Sequence, residues 1–163
     1  MKNIIAVAVA LAFSFPVSLL AEQHEPRFVP QEQGATVLDQ ETGLQWMRCS
    51  LGQTWTGQTC AGHTNRYTWD QAQTAAETEH AGLQDWRLPT VHELQSLIEY
   101  RMFNPAIDHQ AFPNTPPANY WSASEAAYDA FYAWSVHFAN GFSNWRHKRQ
   151  RFEVRLVRDV NAE

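Results

Sequence analysis

The six residues Asp85-Trp86-Arg87-Leu88-Pro89-Thr90 leave a chain few ways to continue. Pro89 denies Leu88 a helical backbone, so any preceding helix has ended by then. Thr90 can cap a new helix, with Glu93 returning the bond to the Thr90 N–H before the apolar positions Leu94, Leu97 and Ile98. Trp86 and Leu88 are apolar anchors on either side of Arg87. The segment therefore predicts a fixed junction between two helices, and it says more about fold than about chemistry.

The first helix is expected from Thr68, where Gln71 repeats the capping-box spacing and Trp69, Ala72, Ala75 and Ala76 form an inward stripe. Gly82 offers a left-handed terminator. The second helix is expected over Val91 to about Tyr100. Before them, Ala35 to Leu38 and Leu44 to Met47 read as strands joined by a turn over Asp39 to Gly43. After them, Asn104 to Ala118 holds four prolines and reads as a long loop. Tyr120 to Ser124, then Tyr132, Trp134, Val136 and Phe138, alternate as strands. Asn140-Gly141 turns the chain into a return strand from Phe142 to about Lys148. Phe152, Val154 and Leu156 predict a last strand, with Glu153 and Arg155 facing away. A strand hairpin, two helices and a run of antiparallel strands make an α+β domain.

Residues 1–21 read as a signal peptide. Met1-Lys2-Asn3 is a short basic start, Ile4 to Leu20 is mostly apolar, and Ala21 is a small residue before the cut. An uncleaved anchor is the competing reading, weakened by Pro16 within the run. Residues 22–34 are polar, contain Pro26 and Pro30, and suit an extended lead-in to one domain over 35–160. No stable membrane span is expected after cleavage, and the location is periplasmic or secreted. In an exported chain Cys49 and Cys60 predict a disulfide; a zinc site with His63 is the rival, with no clear fourth ligand.

The motifs Thr42-Gly43-Leu44-Gln45-Trp46, Ala81-Gly82, the junction with Glu93-Leu94, and Asn104-Pro105-Ala106-Ile107 resemble the Lcl C-terminal domain family. Tyr120-Trp121-Ser122-Ala123-Ser124, Ala133-Trp134-Ser135-Val136 and Val154-Arg155-Leu156-Val157-Arg158 extend the resemblance. The family takes its name from the C-terminal domain of a bacterial collagen-like adhesin. The resemblance implies a C-type-lectin-like variant fold, with paired terminal strands and two helices flanking small antiparallel sheets. For that adhesin it implies binding of sulfated polysaccharide. The present chain has no Gly-x-y stalk, so trimer avidity is not implied.

The net charge of −5 argues against a nucleic-acid partner, yet Arg146, Lys148, Arg149, Arg151, Arg155 and Arg158 crowd the last stretch. Period-two spacing puts Arg146 with Lys148, and Arg151 with Arg155, on common faces. Were the two strands neighbours, these cations would form a ribbon for the sulfates or carboxylates of an anionic polysaccharide, or for an envelope protein. A solvated edge that deters aggregation explains the same charges. Arg146, Lys148, Arg149, Arg151 and Arg155 are thus the expected ligand-binding residues. Trp145 is expected on the face opposite Arg146. Asp85, Arg87 and Glu93 are read as structural, with Arg87 holding loop carbonyls or a carboxylate. No zinc-ligand spacing, serine elbow or phosphate loop occurs, so no catalytic residues or cofactor are expected. Asn104, Asp108, Glu125 and Asp129 could supply oxygens to calcium, but turn roles suit them better. A protein-binding envelope subunit is the alternative function.

Overall fold

The computed structural model describes residues 25–160; the expected signal peptide lies outside the described residues. Four strands form one antiparallel sheet in the order β1-β2-β3-β9: β1 Phe28–Gln31, β2 Thr36–Asp39, β3 Leu44–Met47 and β9 Val157–Asp159. Between β3 and the helices, β4 (Thr54–Trp55) and β5 (Cys60–Ala61) make a small ribbon. The helices are α1, Trp69–Ala76, and α2, Val91–Ser96. A three-stranded antiparallel sheet follows, β6 (Asn119–Glu125), β7 (Tyr132–His137) and β8 (Phe142–His147), in that order. This is α+β, built mostly of small antiparallel sheets.

Both helices begin with the expected reciprocal caps. Thr68 Oγ1 accepts from Gln71 N at 3.4 Å and Thr68 N donates to Gln71 Oε1 at 3.1 Å. Thr90 N donates to Glu93 Oε2 at 2.7 Å, and Glu93 N to Thr90 Oγ1 at 3.2 Å. Each helix is shorter than its pattern predicts. α1 stops at Ala76, and Gly82 instead lies in a tight turn where His80 and Leu83 exchange backbone bonds. α2 stops at Ser96 because Ile98 pairs with Ile107 and Glu99 N donates to Ala106 O. Packing of the proline-rich loop overrides helical continuation here.

The described part of the expected lead-in, residues 25–34, holds a strand. Phe28–Gln31 pairs along β2, and Phe28 packs edge-on against Phe112 with ring centroids 5.0 Å apart. Arg27 grips the buried Asp39 through two bonds of 2.9 and 2.7 Å and also donates to Ser96 O. The polar composition concealed a strand whose partners all lie later in the chain. The first and last strands share a sheet, but β2 and β3 separate them, so they do not pair directly.

The core has two parts. Val37, Trp46, Leu94, Ile107, Phe112, Tyr120, Val136, Phe138 and Val157 belong to the first. Leu51, Ala72, Ala76, Trp86, Leu88, Trp121, Ala133, Val154 and Leu156 form the second. The Asp85–Thr90 junction lies between them. Trp86 and Leu88 enter the second cluster, and Leu94 enters the first one turn later. Arg87 exchanges backbone bonds with Val157 of β9, while the Pro89 carbonyl accepts from Ala123 N of β6. The junction thereby joins the two larger sheets.

The segment 152–156 departs most from expectation. It is not an edge strand with one polar face. Phe152 bridges Tyr67, Glu153 bridges Tyr120 in parallel, and the Val154 and Leu156 carbonyls accept from Leu51 and Met47. The segment runs through the interior, so its alternating residues are buried on both sides. Arg155 is fully buried. Its Nη1 donates to the carbonyls of Met47 (2.8 Å) and Arg48, and its Nη2 to Thr115 Oγ1 (2.7 Å) and Ser50 Oγ (3.3 Å). The guanidinium also lies over the Phe112 ring, 4.7 Å from its centroid.

Cys49 and Cys60 are disulfide-bonded, with Cα atoms 5.4 Å apart, and both are buried. That excludes the zinc alternative at these thiols. Reduction should lower the unfolding free energy by about 3 kcal/mol, the chain-entropy value for a loop this short, as read by urea melts with and without reductant. Arg155→Lys should cost about 3 kcal/mol or more in the same assay, because an ammonium keeps the buried charge but cannot reproduce the two-sided fork. A loss below about 1 kcal/mol would show that the network is dispensable.

Candidate functional site

The expected cationic ribbon does not form, because its two segments are not neighbours: β8 pairs with β7, whereas the chain at Glu153 lies beside Tyr120 of β6, the opposite edge of that sheet. Arg155 is consumed inside the molecule. Arg158 of β9 donates to Gln45 Oε1 at 3.1 Å, facing the four-stranded sheet rather than a ligand. Lys148 is half-buried, 2.7 Å from Glu125 Oε2, with its ammonium 4.1 Å from the centroid of the Trp69 ring. Lys148 and Arg155 are therefore structural cations.

What remains is a smaller basic surface around the turn after β8. Arg149 and Arg151 are exposed and Arg146 is half-buried. Ion pairs among the described residues give none of these three a carboxylate. Arg151 donates through Nε and Nη2 to Arg66 O, at 3.2 and 3.0 Å. Arg66 is thus brought beside it, mostly exposed, with Glu153 Oε1 3.2 Å from its Nε. Sequence reasoning missed Arg66. It lies 85 residues before Arg151, and the Tyr67–Phe152 bridge helps to bring the two together.

The junction residues behave as structural groups. Arg87 Nη1 and Nη2 each donate to Glu93 at 2.9 Å, and Nε and Nη2 to Asp159 at 3.1 and 3.0 Å. The two carboxylates raise the Arg87 pKa. Burial pushes Glu93 up, but bonds from Arg87 and Thr90 N outweigh it and hold the carboxyl below the usual range. Arg87 lowers Asp159 as well, chiefly by hydrogen bonding. Asp85 is exposed at φ +65°, where it turns the chain into the anchor Trp86.

A second feature was not anticipated as a site. Trp145 stands opposite Trp134, and His147 opposite Tyr132, on one face of β7 and β8. Trp145 is 52% exposed. Phe131 and Tyr128, from the loop between β6 and β7, are exposed beside them. Alternation along β8 correctly put Trp145 on the face away from Arg146. What the pattern could not show is that no helix covers that end of the sheet.

The Lcl C-terminal domain model matches residues 35–158, a span that includes the three-stranded sheet, β2 and β3, the junction and the basic turn, and leaves β1 outside. The chain belongs to the Lcl C-terminal domain family. Comparison with curated proteins gives no match. The family motifs of this Lcl C-terminal domain fall mainly on structural groups: Trp46, Trp86, Leu88, Trp121, Val154 and Leu156 are all buried, and Arg155 is the buried fork. They maintain the scaffold, whereas Arg66, Arg149 and Arg151 lie outside the quoted motifs. Among the described residues, no group of three or more His, Cys, Asp and Glu side chains is arranged to hold a metal ion.

Asp39, Glu93 and Asp159 all titrate below the usual carboxylate range in the folded state. For depressed carboxylates the folded state binds fewer protons than the unfolded one. Their stabilisation is complete above the unfolded values, about pH 4 to 4.5, and is lost as pH falls through the lower folded values. The urea midpoint should therefore decline on acidification from about pH 5 to 3, and the decline should be shallower in Glu93→Gln. An equal slope in that variant would remove the Arg87–Glu93 pair as a cause.

Proposed function

We propose that this domain is an exported, non-enzymatic, C-type-lectin-like binding module that recognises anionic polysaccharide through Arg66, Arg146, Arg149 and Arg151. The supporting observation is the contact of Arg151 with the Arg66 carbonyl, which gathers cations from two distant segments onto the turn after β8. Of the nearby carboxylates, Glu125 is engaged by Lys148 and Glu153 by Arg66, and Asp70 shares a concavity with Arg151. A local surplus of positive charge therefore stands on a chain whose net charge is −5. Guanidinium groups suit sulfate and carboxylate because their planar donors match two oxygens at once. The lectin-like assignment is supported by two short helices beside small antiparallel sheets and by first and last strands in one sheet. Export is supported by the basic and apolar start of the sequence and by a disulfide suited to an oxidising compartment.

A second reading, an envelope subunit that binds protein, is favoured by an exposed apolar end. Tyr100, Phe103 and Phe142 are each more than two-thirds exposed, and backbone bonds from Asn104 to Ala139 and from Ala106 to Phe138 hold their loops together. Apolar groups clustered this way are typical of protein contacts.

Heparin chromatography separates the two. Polysaccharide binding predicts retention that weakens steeply with salt, and a log–log salt slope that falls by roughly one unit for each of Arg66, Arg149 and Arg151 replaced by Ala. Retention indifferent to all three replacements would reject the assigned surface.

A further inference from the structure

The aromatic face of β7 and β8 has a built shape. Near the hairpin tip it is covered: Val136 is fully buried, and Gln95 of α2 bonds Ser143. Helix α2 has only six residues, so its cover ends before Trp134 and Trp145. Beyond that point the loop 126–131 rises beside the sheet. Ala126 N donates to Tyr132 O at 2.9 Å, and Phe131 N donates to Asp129 Oδ1, also at 2.9 Å. Phe131 lies parallel to His147, with ring centroids 6.3 Å apart and planes within 9°. The result is two adjoining concavities with Trp145 as their shared wall. One, of about 320 Å³, is lined by Asp129, Tyr132 and Trp145. The other, of about 330 Å³, is lined by Trp134, Tyr128, Glu125 and the Ala126-Ala127 backbone turn together with Trp145.

Each concavity combines an aromatic wall with one carboxylate. Glu125 is paired with Lys148, whereas the Asp129 carboxylate accepts only from Phe131 N, so an aliphatic protein segment would strip water from a charge that no cation balances, which is costly. A sulfated or carboxylated group would be repelled by Asp129. The complementary ligand has a flat C–H face to lie on an indole and hydroxyl donors around its edge for a carboxylate to accept, and it has no negative charge. Those are the properties of an uncharged sugar ring. We infer that the Trp145 face is a stacking subsite for uncharged pyranose rings, with Asp129 accepting from ring hydroxyls; this rests on the polysaccharide reading above for its ligand class and on none of its cations. Trp145 supplies the platform, Tyr132 and Trp134 hold its orientation from β7, and the loop 126–131 forms the side wall. Two concavities about one indole suit adjacent rings of a chain better than a single monosaccharide.

The test is calorimetric titration of the mature protein with three uncharged probes, cellohexaose, chitohexaose and mannohexaose, alongside heparin chromatography. At least one hexasaccharide should bind, with affinity nearly constant from about 0.05 to 0.5 M salt. Trp145→Ala should weaken it by roughly tenfold or more, and Asp129→Asn by several-fold. Arg149→Ala and Arg151→Ala should leave it unchanged. Trp145 is half exposed on an edge strand, so an unaltered urea midpoint should accompany its replacement, and Trp145→Gln serves as a second variant. The inference fails if no probe binds up to about 5 mM, or if both Trp145 variants keep affinity within about twofold of the parent. Hexasaccharide binding without arginine-dependent heparin retention would reject the cationic surface alone. The reverse pattern would reject the aromatic subsite alone.

Discussion

The guanidinium of Arg155 brings a positive charge into the interior, and no ion pair among the described residues gives it a carboxylate. Moving such a charge out of water costs several kcal/mol even after relaxation, about the whole stability margin of a small domain. Neutral oxygens from three segments offset that cost: the end of β3 at Met47 and Arg48, the disulfide-flanking Ser50, and Thr115 of the proline-rich loop. Tyr120 joins through Ser50, its hydroxyl 2.7 Å from Ser50 Oγ. Burial lowers the Arg155 pKa to about 10 and raises that of Tyr120 to about 12, so at neutral pH the first stays charged and the second neutral. A fork that needs all these oxygens holds three otherwise irregular stretches in one arrangement.

That constraint explains how so much non-repetitive chain is ordered. The proline-rich loop has few ladder bonds of its own. It is held by Arg155 at Thr115, by Arg48, which donates to the carbonyls of Gln110 and Ala111, and by the burial of Ile107 and Phe112. The disulfide closes the next loop, and Asn114 links the two by donating to the Cys60 carbonyl. The junction at Asp85–Thr90 plays the matching role between sheets. With the scaffold fixed this way, the surface left free is the outer part of the three-stranded sheet and the turn beyond it. Both candidate binding features are found there, the aromatic one on a face of β7 and β8 and the basic one around the turn after β8.

The candidate binding features were legible in the sequence to unequal degrees. Arg149 and Arg151 are exposed, as expected, but Arg151 lies in the turn after β8 rather than on a strand face shared with Arg155. Arg155 was misread because alternation gives the face of a strand, not whether that face is covered. In a segment with neighbours on both sides, an outward-looking residue is as buried as an inward one. The small residues on α1, Ala72 and Ala76, let that helix lie close against the second core cluster and cover one side of this central chain. The aromatic face presents the opposite case. The pattern Tyr132, Trp134, Val136 suggests one continuous core face, and α2 covers only the Val136 end of it.

What the sequence determined unaided was local: both helix caps, the turn at Asp39–Gly43, the hairpin around Asn140-Gly141 and the junction. Gly141 illustrates why, since its φ of +78° is a property of one residue, although a side chain there would also meet Ile98. These features depend on side chains within a few positions reaching their own backbone, so composition and spacing suffice. Pairing between β3 and β9, the strand hidden in the polar lead-in, the burial of Arg155 and the meeting of Arg66 with Arg151 were decided only by tertiary structure. Each joins residues far apart in the chain through contacts whose energy depends on what else is excluded from water, and no local pattern encodes that.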